Sequence, residues 1–267
     1  MQTEKPTYHT THLGCFDFCG WAYYLEHIVE ERELGNFYTT GGHGVHTARE
    51  LNLRQKIKSG VDMDLTRMLD CARDEINRRV EEGYVDLQSE QLAGLSKSSA
   101  AGRIIDRTVK MVEIDRRNLQ STIQPTEVEV DRKVILTDWP FNIALRFDCL
   151  DTENYIDDCK TSKRKWTQEK SDSEYQPSIY TLGFRAYQKK DPTGFRHHCV
   201  ICTPSGRVSA YPLITHRDDK QIVAVLERML VMHESIKAGI FAPAHRSSWK
   251  CSPQWCRFYR HCKFVGK

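Results

Sequence analysis

Asp148 stands ten residues ahead of an Asp158-Cys159-Lys160 triplet, and Thr161, Ser162, Lys163, Arg164, Lys165 and Trp166 follow at once. Two carboxylates can hold a hard divalent cation through oxygen, and a lysine beside them can orient an attacking water or offset charge on a phosphorane. On a strand, Asp158 and Lys160 would point to the same face. With Asp148 on the adjacent strand of a hairpin, all three groups would converge on one phosphate. Taken alone, such a pattern is ordinarily a turn residue and a strand end beside a solvated lysine. The surrounding residues are what favour chemistry here.

A second set of reactive side chains closes the chain. Cys251, Cys256 and Cys262 lie within twelve residues, beside Trp255, Phe258 and Tyr259, a setting ill suited to free exposed thiols. Metal clusters and zinc sites commonly take four thiolates, so a fourth must come from elsewhere. Cys19 is the first choice and Cys15 the second. Such a site would tie the two ends of the chain together and restrict the unfolded ensemble. Spacing leaves iron-sulfur and zinc both open. Cys71, Cys149, Cys159, Cys199 and Cys202 fall inside apolar helix or strand patterns and read as small buried residues.

The elements that must position these groups change character along the chain. An aromatic-rich helical segment opens at Cys19, a glycine-rich break follows at Gly41-Gly42-His43-Gly44, and a helix is expected over residues 45–57. Residues 62–82 and 97–119 carry apolar positions at helical spacing, among them Leu65, Met68, Leu69, Ala72 and Ile76, so the first 120 residues read as mostly helical. From Glu127 the texture turns to β-branched runs at 128–135, 141–149 and 155–161, separated by turn residues, as in an antiparallel meander. A helix is expected over 173–189 with Pro177 in its first turn. Strands at 197–203 and 207–214 and an amphipathic helix at 218–238 complete the pattern.

The 267 residues, 39% hydrophobic and 28% charged, suit one globular domain rather than a disordered chain. Within it, residues 1–120 form the helical part, 121–240 the α/β core and 241–267 the cysteine-rich tail. The net charge of +3 does not by itself indicate nucleic acid. The local run Lys163, Arg164 and Lys165 beside the acidic residues is more telling. No basic leader runs into an apolar stretch, and none reaches the roughly 20 apolar residues that span a bilayer. A soluble protein with no membrane partner, in the cytoplasm or a viral host's cytoplasm, is therefore expected. In that compartment, cysteines bind metal more readily than they form disulfides.

With both sets in view, the chain resembles the PD-(D/E)XK nuclease superfamily, in the RecB-like branch that carries a four-cysteine iron-sulfur cluster. That branch includes AddB-type recombination nucleases, CRISPR-adaptation nucleases and phage exonucleases. Leu13, Phe16, Cys19, Tyr23 and Tyr24 are similar to its opening pattern. Gly42 and His46 look like its glycine-then-histidine motif, with His43 a competitor. The family glutamate falls at Glu129 or Glu127. Asp148 matches its metal-binding aspartate, although Arg146 stands where a glycine is usual. Asp158, Lys160, Thr161 and Ser162 match its D-x-K-T-S stretch, and Gln176 and Tyr180 its Gln-x3-Tyr helix.

The resemblance implies a restriction-endonuclease-like αβββαβ core with a mixed sheet. It also implies hydrolysis of DNA, from single strands or duplex ends, by a divalent-metal-dependent exonuclease in recombination, repair or CRISPR-adaptation-like processing. Magnesium or manganese would be held by His46, Asp148, Asp158 and the carbonyl of Cys159, with Lys160 and Glu129 catalytic. A 4Fe-4S cluster, or less favourably zinc, would sit on Cys19, Cys251, Cys256 and Cys262. Lys163, Arg164, Trp166, Gln176 and Tyr180 would contact DNA. A recombination or CRISPR-adaptation protein is the expected partner, and the oligomeric state is left open. Two other classes remain at this point: a non-catalytic DNA-binding scaffold of the same fold, and a zinc-stabilised regulator.

Overall fold

The computed structural model describes residues 4–30, 34–89, 91–253 and 255–265. The chain divides into two compact units whose segments alternate along the sequence. The first is Met1–Glu33, Arg132–Leu145 and Asp218–Lys267; the second is Leu34–Asp131 and Arg146–Arg217. Among the described residues, no helix is long and apolar enough to cross a membrane.

The second unit is built around helix α3 (Phe37–Ser59), helices α4 (Leu65–Glu81) and α5 (Lys97–Asn118), and most of a mixed sheet. Asn36 starts α3 with a capping box, its side chain accepting from the Tyr38 and Thr39 amides, and Gly60 ends it in the left-handed region. The expected glycine-rich break is instead the first two turns of this helix. Glycine inside a helix costs about 1 kcal/mol relative to alanine, and close packing accounts for it. A Cβ on Gly42 would stand 2.8 Å from Thr161 Oγ1, and one on Gly44 would stand 3.0 Å from Thr108 Cγ2. Helices α4 and α5 match the sequence expectation to within a few residues. The core between these helices and the sheet contains Val45, Ala48, Met68, Met111, Cys159 and Val200.

Among the described residues there are six strands, β1 (Thr7–Tyr8), β2 (Pro125–Val134), β3 (Asn142–Asp151), β4 (Tyr155–Ser162), β5 (Gly194–Cys202) and β6 (Val208–Thr215). Their order is β1-β3-β4-β5-β6, with β2 also paired to β3. Strands β3 and β4 form the expected antiparallel hairpin, Cys149 facing Asp157. The meander stops there: β5 runs parallel to β4, with Asp158 opposite His197 and Lys160 opposite Cys199. Parallel neighbours need a crossover, supplied by α6 (Gln168–Ser173) and α7 (Gln176–Gln188). The order α3-β2-β3-β4-α7-β5 is thus αβββαβ, extended by β6.

The first unit contains α1 (Thr10–Phe18), which the sequence reading missed, α2 (Gly20–Tyr23), a π-helical turn at Tyr24–Ile28, and α8 (Asp219–Lys237). Strand β1 pairs in parallel with the start of β3, Thr7 facing Asn142. Tyr8 hydroxyl lies 3.0 Å from His233 Nδ1, and Ala22, Leu25 and Phe258 form a small core flanked by Cys15, Cys19 and Cys256. Cys71, expected to be buried, is only half-buried.

Candidate active site and cysteine group

All the acidic and basic residues singled out around Asp158 lie in the second unit. Strand alternation places Asp158 and Lys160 on one face of β4, and the hairpin brings Asp148 alongside. Lys160 Nζ is 2.7 Å from Asp158 Oδ2, and the Cys159 amide donates to Asp148 Oδ2 at 3.0 Å. Helix α3 delivers His46, whose Nδ1 is 3.6 Å from Asp148 Oδ2. Strand β2 delivers Glu129, not Glu127, which instead accepts from Gln188 at 3.2 Å. At Glu129 the backbone takes a left-handed φ of 51°, so strict strand alternation does not hold there. The donor atoms of His46, Glu129 and Asp148 all lie within 4.8 Å of one another.

Electrostatics set the protonation states. Burial, reinforced by the Asp158 charge, holds Asp148 above the ordinary carboxylate range. Burial and then the Asp148 charge push Glu129 up to about 7, against the pull of Arg146, whose Nε is 2.6 Å away. For Lys160, burial alone would favour the neutral amine. The Asp158 charge and hydrogen bond outweigh it, with Asp148 adding to them, and raise the lysine, so Lys160 stays a cation.

Gln176 joins these groups more closely than a residue bordering the site would. Its Nε2 donates to Asp158 Oδ1 at 2.5 Å, and its Oε1 accepts from Lys160 Nζ at 2.5 Å. It begins α7, where Pro177 occupies the first turn. Tyr180, one turn on, is buried, packed edge-on against Phe147 at 5.4 Å and Phe195 at 5.8 Å. Burial and the nearby Asp158 push its hydroxyl up to about 12.

Lys163 places Nζ 4.7 Å over the Tyr38 ring, and Arg164 is exposed. Trp166 is half-buried: its ring lies 5.2 Å from His197, and Lys170 Nζ covers it at 4.3 Å.

Sequence reasoning missed the layer behind β4. Arg49 pairs with Asp115 at 2.8 Å and with His198 Nδ1 at 2.5 Å. His198 Nε2 faces Asp157 Oδ1 at 3.3 Å, and Arg196 joins Asp157 to Asp151. Arg49 and His46 share α3, so this buried chain of ion pairs and hydrogen bonds, with His198 kept neutral by burial and the two arginines, fixes the helix that carries His46 against β5 beside β4.

The first unit brings together the other predicted set. Cys19 Sγ accepts from the amides of Ala22 at 3.4 Å and Ala244 at 3.2 Å. The tail passes so close that a Cβ on Gly20 would stand 2.8 Å from Ala242 O. Burial raises the Cys256 thiol, and the neighbouring Cys19, Cys262 and Cys251 thiols add to the rise. Cys15 is engaged elsewhere, donating to Glu26 Oε2 at 3.2 Å.

No protein-family model and no curated protein matches the chain. Among solved structures, it is similar to a protein from Eubacterium rectale described as a candidate exonuclease, with a TM-score of 0.59 and 13% identity over 98% of this chain and 90% of that one. At that identity the likeness shows a shared α/β fold. A second structure, SSO0001, has 21% identity over 82% of this chain and 96% of that one, but its TM-score is 0.34, too low to carry argument.

Proposed function

We propose that this chain is a divalent-metal-dependent deoxyribonuclease of the PD-(D/E)XK type, acting as an exonuclease in DNA recombination, repair or CRISPR-adaptation-like processing. The observation that carries this reading is the convergence of His46, Glu129 and Asp148 beside the Asp158–Lys160–Gln176 group. The fit for a cation rests on the donors themselves. Asp158 Oδ2 is buried with no hydrogen-bond partner, although it is ion-paired with Lys160, and Asp148 and Glu129 are both raised by burial among like charges. A cation offsets that repulsion.

Magnesium or manganese would be held by His46, Asp148, Asp158 and the carbonyl of Cys159, with Glu129 in direct or water-bridged contact. Bound there, it supplies Lewis-acid polarisation of a phosphate oxygen and a more acidic water. The protein's own groups do the positioning. Lys160, fixed as a cation by Asp158 and Gln176, offsets negative charge developing on the phosphate. Gln176 fixes the lysine and Asp158 relative to each other. Lys163 and Arg164 neutralise the backbone of the incoming strand, and Tyr180 supports α7 from within the core.

A 4Fe-4S cluster on Cys19, Cys251, Cys256 and Cys262 belongs to the same reading. Zinc coordination would draw the sulfurs to about 3.8 Å from one another. Among the described residues, the donor groups within 4.8 Å of one another do not include these four thiols, and iron, sulfide and zinc analysis of the purified protein decides between the two metals.

The test is incubation of anaerobically purified protein with end-labelled single- and double-stranded DNA and with closed circular DNA, in magnesium, manganese or chelator. Degradation of linear DNA with sparing of the circle, abolished by chelator, is the expected result. Metal-independent cleavage, or none with either metal, would overturn the proposal.

A further inference from the structure

Outside the candidate active site, the first unit holds another group of ligand-type side chains. Cys15, Glu26 and His27 offer a sulfur, a carboxylate oxygen and an imidazole nitrogen within 4.8 Å of one another, one of two such groups among the described residues. Cys15 Sγ is 3.2 Å from Glu26 Oε2, and His27 Nε2 is 3.8 Å from Glu26 Oε1. Local folding brings them together, because Cys15 lies on α1 and the π-helical turn after α2 carries the other two.

A fourth donor stands beside them. His12 precedes Cys15 by one helical turn, so the two share a face of α1. Its ring centroid is 4.5 Å from that of His27, and its Nδ1 is buried with no hydrogen-bond partner. Leaving a buried nitrogen unpaired is unfavourable, so native proteins seldom keep one without a ligand or water to meet it.

We propose that His12, Cys15, Glu26 and His27 form a mononuclear site for a borderline-soft divalent transition metal, zinc in the first instance, distinct from both the carboxylate site and the four-cysteine group. The donor set decides the class of metal: a thiolate and two imidazoles suit zinc and are poor ligands for magnesium. Arg257 pairs with Glu26 Oε2 at 2.5 Å, which holds the carboxylate in place with Oε1 towards His27. Loading releases the Cys15 thiol proton, now directed at Glu26, to solvent.

The site pins α1 to the π-helical turn. It also removes Cys15 from competition with Cys19, four residues on, leaving Cys19 as the thiol available to the tail cysteines. The inference does not depend on the nuclease reading.

The test uses the full chain as purified anaerobically, given one equivalent of zinc sulfate and then gel-filtered. Metal analysis should find one retained zinc per chain, and X-ray absorption at the zinc edge should show one sulfur at about 2.3 Å with nitrogen and oxygen neighbours. Cys15→Ser and His27→Ala should lose that zinc, and Cys251→Ser should keep it. Failure of the wild-type chain to retain zinc overturns this site and leaves the nuclease and cluster readings standing. A zinc with three or four sulfur neighbours places the metal on the Cys19 group and overturns this site and the cluster reading together. Because the absorption measurement is made on the wild type, a variant that fails to fold does not decide the matter.

Discussion

Lys160 illustrates how the site uses charge. It is a quarter exposed, and Asp158 is nearly fully buried, yet both are charge-bearing groups held together with a single amide. Replacing Lys160 with alanine should reduce DNA cleavage by about 10²–10³-fold, and should lower the thermal midpoint of the metal-free protein because it leaves the buried Asp158 without its ion pair. Asp158→Ala should abolish cleavage and weaken metal binding. Wild-type rates in either variant, from preparations free of contaminating nuclease, would falsify the catalytic assignment.

Glu129 gives the site a pH dependence whose sign follows from its environment. Its carboxyl is raised from an ordinary 4.5 to about 7, so between those values the folded protein binds more protons than the unfolded chain. Metal-free protein should therefore lose stability as pH rises from about 4.5 to 7, by an amount on the order of 3 kcal/mol. Metal binding needs the ionised form, so the manganese midpoint should fall as pH rises from 6 to 8. Glu129→Gln should flatten both trends. A wild-type manganese titration that does not move with pH would remove Glu129 from the metal's surroundings.

At the scale of elements, the candidate active site depends on how closely α3 lies against β4. Gly42 permits that approach, since any Cβ there would press on Thr161 Oγ1. Gly42→Ala should push the helix outward, costing about 1–3 kcal/mol as overpacking does, and should raise the manganese concentration needed for activity because His46 moves with the helix. Thr161→Ala removes the offending oxygen, so Gly42→Ala/Thr161→Ala should recover much of the metal response. If the double variant is no better than Gly42→Ala alone, the tight spot lies elsewhere.

The helices and strands around this contact were legible because their apolar periods are long and regular. The residues of the Asp-x-Lys strand were legible because Asp148 before them and the Thr-Ser and basic run after them narrow a pattern that is common on its own. Two features were hidden for physical reasons. Glycine at 41, 42 and 44 signals a break by propensity, and only the partner surface explains why a helix keeps it. Helix α1 leaves no local mark, since Leu13 is the one buried residue among its nine and no apolar period runs through it. Arg49, Asn52 and Lys56 did leave a trace, as polar residues repeated on the buried face of α3. That trace reads as a solvated stripe until Asp115, Gln120 and His198 supply its partners.

On the scale of the whole chain, the ends matter as much as the sheet. Cys19 and Cys251 are far apart in sequence, and the proposed cluster joining them would close a loop over most of the chain. Loop-closure entropy of that size is worth on the order of 5 kcal/mol, provided the linkage does not strain the native state. Among its described residues the tail forms short turns with Phe258 buried, so it has little apolar burial of its own to hold it against Cys19. Cys19→Ser and Cys256→Ser should therefore behave alike. Both should lose iron and sulfide, and in both the amides of α1, α8 and the tail should exchange with solvent far faster. Cys15→Ser should keep its iron, because its thiol faces Glu26. Iron analysis and hydrogen exchange on the three variants decide the matter: full iron in Cys19→Ser with loss in Cys15→Ser would reverse the ligand assignment, and unchanged exchange in an iron-free Cys256→Ser would show that the tail is held by packing alone.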